Sequence, residues 1–126
     1  MKKITKKESK EFNDKIISVV LLAGFEHDTY WRENEYTKET HFGLVKIIVP
    51  EQRGSEIYTI FSCFEEPEKA IRIFNCNRFT GKYNFHDKNS QHVLGMLEFF
   101  LHELETMAEV DKQIQQDKQE NLKWIS

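Results

Sequence analysis

Cysteine is scarce in this chain: Cys63 and Cys76 are the only two among 126 residues. Two thiols cannot supply the several bridges that hold a small secreted scaffold together, so a disulfide framework is excluded. Long apolar runs are missing as well. The longest, Val19 to Ala23, is far short of the roughly 20 residues a membrane helix needs. The lysines near the N-terminus are not followed by a small-residue cleavage site, and the apolar stretch Ile16 to Phe25 has helical spacing, so no signal peptide is expected. A cytoplasmic protein without membrane association follows as the expectation. Charge of one sign is also lacking. The net charge of −3 is too mild for an acidic mimic of nucleic acid, and a pI near 6.0 does not suit a strongly basic nucleic-acid binder.

Apolar matter is plentiful. Hydrophobic residues make up 39% and aromatics 13%, with ten Phe, a composition that folds. The length suits one domain. Charge is distributed in blocks: Met1 to Lys10 has five lysines and one acid, and Lys69 to Lys88 has five bases and one acid. Glu26 to Thr40 has five acids and two bases, and Glu98 to Glu120 has seven acids and two lysines. Mixed fields of this kind favour a protein partner over a uniform polyanion.

Thr5-Lys6-Lys7-Glu8 has capping-box spacing. Phe12, Ile16, Val19, Val20 and Ala23 then recur at helical spacing until Gly24. A helix is predicted over 6–23. Residues 25–40 read as a polar, aromatic loop with an early strand near Tyr36. Strands are predicted at 42–49, 57–64 and 82–86, and Pro67 opens a short helix reaching Phe74. A last helix starts at Asn89 or Ser90, runs to Met107 and buries Val93, Leu94, Leu97, Phe100, Leu101 and Leu104. Beyond Ala108 the apolar residues thin out. The expected fold is therefore α+β, in the order α-β-β-short α-β-α. A three- to four-stranded antiparallel sheet would be covered on one face by the two main helices. Phe12, Ile16, Val20, Ile47, Phe61, Leu97 and Leu101 are expected in the core. Residues 1–108 form the domain in this reading, and 109–126 a polar helical or frayed tail. Deleting 110–126 should cost no more than about 1 kcal/mol, unless Ile114, Leu122 and Trp124 pack across a homodimer.

Catalytic signatures do not appear. Thr80-Gly81-Lys82 lacks the first glycine and the following hydroxyl of a phosphate loop, and a strand follows it. The five histidines never take i,i+4 spacing and the cysteines lie far from a Cys-x-x-Cys knuckle, so no metal or other cofactor is expected. A site shared by Cys76, His86 and His92 across the fold is the weaker alternative. Cys63 has no nucleophile signature around it and reads as a core thiol. Glu65 and Glu66 read as dipole compensation at a helix start.

The most distinctive segment runs from Asn75 to His86. Lys82, Asn84 and His86 alternate there with Tyr83 and Phe85, giving the strand one polar and one aromatic face. Half-burial alone produces such alternation. The functional reading is a binding surface made of Arg78, Lys82, Asn84 and His86, joined by Tyr30 and Trp31, since Arg, Tyr and Trp commonly anchor interfaces. With Phe61 to Ala70 upstream, the segment resembles small uncharacterised bacteriophage and prophage proteins, in which a strand and an acidic-Pro turn precede an aromatic-Ser/Thr-Gly-Lys-aromatic-Asn-Phe-His strand. The resemblance covers the middle of the chain and implies no enzyme. The missing catalytic signatures, the separate basic and acidic patches and the aromatic loop at Tyr30-Trp31 give as the expectation a non-enzymatic protein of phage or mobile-element type that binds a host or phage protein. What the resemblance adds is one version of it, inhibition of a host-defence or nucleic-acid-processing enzyme. The alternative is a nucleic-acid-binding accessory domain: Arg72, Arg78, Lys82 and Lys88 are interleaved with Phe79, Tyr83 and Phe85.

Overall fold

The computed structural model describes residues 2–28, 34–66 and 82–125, and the side chains of all of these except 82, 83 and 123–125. The expected short helix after Pro67 lies outside the described residues.

Helix α1 (Lys6–Leu22) starts at the capping box. The Glu8 amide donates to Thr5 Oγ1 at 3.2 Å, and the Thr5 amide donates to Glu8 Oε1 at 3.3 Å. Hydrogen bonding with Thr5, through its side chain and its backbone, holds the Glu8 carboxyl below the usual carboxylate range. The helix ends at Gly24, whose φ of 93° is open to glycine at little cost. The Gly24 amide bonds Leu21 O and the Phe25 amide bonds Val20 O, closing the last turn in a Schellman arrangement and burying Phe25.

Five strands follow: β1 (Glu26–His27), β2 (Glu35–Thr40), β3 (Gly43–Ile48), β4 (Tyr58–Phe64) and β5 (Lys82–Asp87). They form one antiparallel meander in the order β1-β2-β3-β4-β5. The sheet is thus wider than the three or four strands expected, because the stretch read mostly as loop supplies β1 and β2. In Glu35-Tyr36-Thr37-Lys38-Glu39-Thr40 only Tyr36 is strongly apolar. Six residue pairs with β3 make it a strand. The β2–β3 turn closes between Thr40 and Gly43, with Phe42 tucked inward and buried rather than opening β3.

Helix α2 (Ser90–Ile125) has 36 residues, about 54 Å at 1.5 Å per residue. It passes the expected end near Met107 without a break. Val93, Leu97, Phe100, Leu101, Leu104 and Ala108 are buried and Leu94, at the edge of the stripe, only half-buried, whereas 112–122 are all exposed, Ile114 and Leu122 among them. No helix among the described residues is long and apolar enough to cross a membrane.

Both helices pack on one face of the sheet. Their buried residues join Tyr36, Val45, Ile47, Val49, Ile60, Phe64 and Phe85 in a single core. Phe100 meets Phe64 and Phe85 with ring centroids 5.9 and 5.4 Å apart, and Phe12 meets Tyr58 at 4.6 Å, spacings at which aromatic pairs attract. Of the seven residues expected in the core, six are buried. Phe61 is the exception, half-buried on the opposite face, because strand parity assigns Ile60, Ser62 and Phe64 to the helices. Cys63 lies with Phe61 and is likewise not a core thiol.

The turn after β3 hides a polar brace. Gln52, 2% exposed, donates from Nε2 to Pro50 O and Thr59 O and accepts at Oε1 from the Thr59 amide. Its own amide donates to Ser9 Oγ at 2.8 Å, tying the turn to α1.

Candidate binding surface

Strand pleating sends alternate side chains to opposite faces, and the paired register then sets them in rows. On the face away from both helices, one row runs Glu35, Ile48, Phe61, Asn84. The next runs Thr37, Lys46, Cys63, Lys82, and beyond these lie the pairs Glu39 with Leu44 and Thr59 with His86. No helix among the described residues packs on this face. Leu44, Ile48, Phe61 and Cys63 are half-buried at its centre, and Asn84 and His86 are exposed along β5. The result is an apolar strip bordered on β2 by Glu39 and a buried Glu35, and on β5 by Lys82, Asn84 and His86, with Lys46 between Leu44 and Ile48.

Of the residues singled out from the sequence, Lys82, Asn84 and His86 take positions on this one face. The side chain of Lys82 is not among those described, and Arg78, Tyr30 and Trp31 lie outside the described residues. The sequence reading missed Lys46 and Ile48, which the β3 register places beside Cys63 and Phe61. The signal was present in the alternation of 44–49, but a strand apolar on both faces does not say which face a sheet will cover.

Among the described residues no three His, Cys, Asp or Glu side chains come together as a metal site. Cys76, the third member of the weaker metal alternative, lies outside them. His92 stands 3.6 Å from Asp87, whose carboxyl is held below its usual range by the Asn89 amide, with smaller help from His92. That cluster sits in the turn into α2, where Asn89 Oδ1 accepts from the Gln91 amide, and capping accounts for it. Tyr58 has its phenol pushed up by burial, then by the charges of Glu8 and Glu11, but it faces α1. No protein family, curated protein or solved structure matches the chain.

Proposed function

We propose that this protein is a non-enzymatic interaction protein that binds a host or phage protein through the face of its sheet on which no described helix packs. The observation that carries the reading is the strip Leu44, Ile48 and Phe61, half-exposed and flanked by Lys46, Asn84 and His86. An apolar centre with a polar border is how protein interfaces are built. Size sets the class of contact. Five strands about 4.8 Å apart and about 20 Å long give a flat footprint of roughly 400 Å². A standard interface takes about 800 Å² from each partner. A transient or regulatory contact fits that footprint better than an obligate one.

A nucleic-acid reading has one observation in its favour, the placement of Lys46 and Lys82 on either side of Cys63 in a row next to Phe61. Strand-face readers stack several bases on several aromatic rings. Phe61 is the one aromatic described on this face, so the protein reading ranks first. The two separate in one experiment. The wild type and the strand-compatible variants Phe61→Thr and Ile48→Thr are used to capture proteins from a host extract, and are titrated with single-stranded oligonucleotides at low and moderate salt. The proposal expects a captured protein that both variants lose, with no salt-dependent oligonucleotide binding. Oligonucleotide affinity falling steeply with salt would favour the alternative. Capture that both variants retain would move the surface elsewhere.

A further inference from the structure

On the helix side of the sheet a cleft of about 510 Å³ opens between the end of α1, β2 and the middle of α2. This volume is within the range of small-molecule sites. Phe25, Leu101, Leu104 and Ala108, all buried, form its apolar floor. Its polar lining is largely committed within the protein. His41 Nε2 lies 2.6 Å from Asp111 Oδ2, Lys112 pairs with Glu109 at 3.3 Å, and His102 Nε2 lies 3.3 Å from the Thr106 hydroxyl.

Lys38 is committed only in part. It projects from β2 to the helix side, lies half-buried beneath the C-terminus of α1, and donates from Nζ to Ala23 O at 2.7 Å. Gly24 leaves room for it, since a Cβ there would meet Nζ at 3.4 Å. The ammonium stands 6.0 Å from the centre of the Phe25 ring. Capping the helix uses one of its three N–H donors. No carboxylate among the described residues forms an ion pair with it. A cation with donors to spare at the edge of an apolar floor fits an anion attached to an apolar body. Glu105 and Glu109, which also line the cleft, disfavour a doubly charged group such as a phosphate, and a singly charged group such as a carboxylate fits better.

We propose that this cleft binds a small amphiphilic monocarboxylate, with its carboxylate on Lys38 Nζ and its apolar body on Phe25, Leu101 and Ala108. The site is on the opposite side of the sheet from the proposed protein-binding face, so either assignment can fail alone.

Decanoate, kept below its micelle-forming concentration, is the probe, and decanol is the neutral control. Titration of the isotope-labelled protein, followed by amide resonances, is expected to give saturable shifts at Lys38, Thr40, Leu101 and Ala108, with decanol binding at least tenfold more weakly. Lys38→Met should weaken decanoate at least tenfold. Because that variant also loses the cap on α1, Ala108→Leu provides a second route: it fills the floor, leaves Lys38 in place and should abolish saturable binding while the spectrum stays folded. Absent decanoate binding, equal affinity for decanol, or undiminished binding to folded Ala108→Leu would each overturn the assignment.

Discussion

The two faces of the sheet are made by the same strands and have different physical constraints. On β4, Ile60, Ser62 and Phe64 are buried beneath the helices, while Thr59, Phe61 and Cys63, one residue out of phase, are only half-covered. On β3, Val45 and Ile47 are fully buried and Leu44, Lys46 and Ile48 are not. A strand apolar on both faces is therefore insufficient evidence of two-sided burial. Here one set of apolar residues makes the core and the other is only half-buried.

The contrast predicts a gradient of mutational effects. Phe64→Ala empties a fully packed site against Phe100 and should cost about 3–5 kcal/mol in denaturant unfolding. A loss under about 1 kcal/mol would mean that the helix side is not the core. Gln52→Ala should cost about 2 kcal/mol, because the Thr59 amide and the carbonyls of Pro50 and Thr59 lose their partners in a part-buried site. Phe61→Thr, on the other face, should cost roughly 1–2 kcal/mol, clearly below Phe64→Ala, since only part of the ring is covered. Equal losses at 61 and 64 would erase the distinction between the faces.

Smaller effects sharpen it further. Truncation after Asp111 removes 112–122, all exposed, with the residues that follow, and should leave stability within about 1 kcal/mol. Cutting before Asp111 would also break its contact with His41, so that residue marks where the helix stops being held by the domain. A larger loss, with a fall in sedimenting mass, would show that Ile114 and Leu122 pack against a second copy. Asn84→Ala combined with His86→Ala should shift stability by no more than about 0.5 kcal/mol, as for exposed positions, while weakening capture of a partner. A marked drop in melting temperature would make these residues supports of β5 instead.

Much of the fold was legible locally. The bounds of α1 follow from Thr5, Glu8, the Phe12-Ile16-Val20 spacing and Gly24, all within one short segment. Strands β3 and β4 show in their β-branched and aromatic runs. Strand β2 was harder to read, because Glu35, Lys38 and Glu39 dilute its pattern and its stability comes from pairing with β3. Phe61 was assigned to the wrong face because Ile60, Phe61 and Phe64 allow either phase, and a slip of one residue exchanges core for surface. Of the candidate surface, the alternation of Lys82, Asn84 and His86 was visible within one strand. Its neighbours Lys46, Ile48 and Phe61 come from two other strands, and only register unites them.

The sequence by itself determined what depends on neighbours along the chain: the starts of both helices and the stop of α1, the helical stripe of Val93, Leu97, Phe100 and Leu104, and the α+β class. Tertiary structure alone decided which face of each strand is covered, that Gln52 braces a turn to α1, and that Lys38 stands over a cleft with Leu101 and Ala108. Periodicity records how often a residue turns toward a side. What occupies that side depends on segments distant in sequence, whose approach no local pattern encodes.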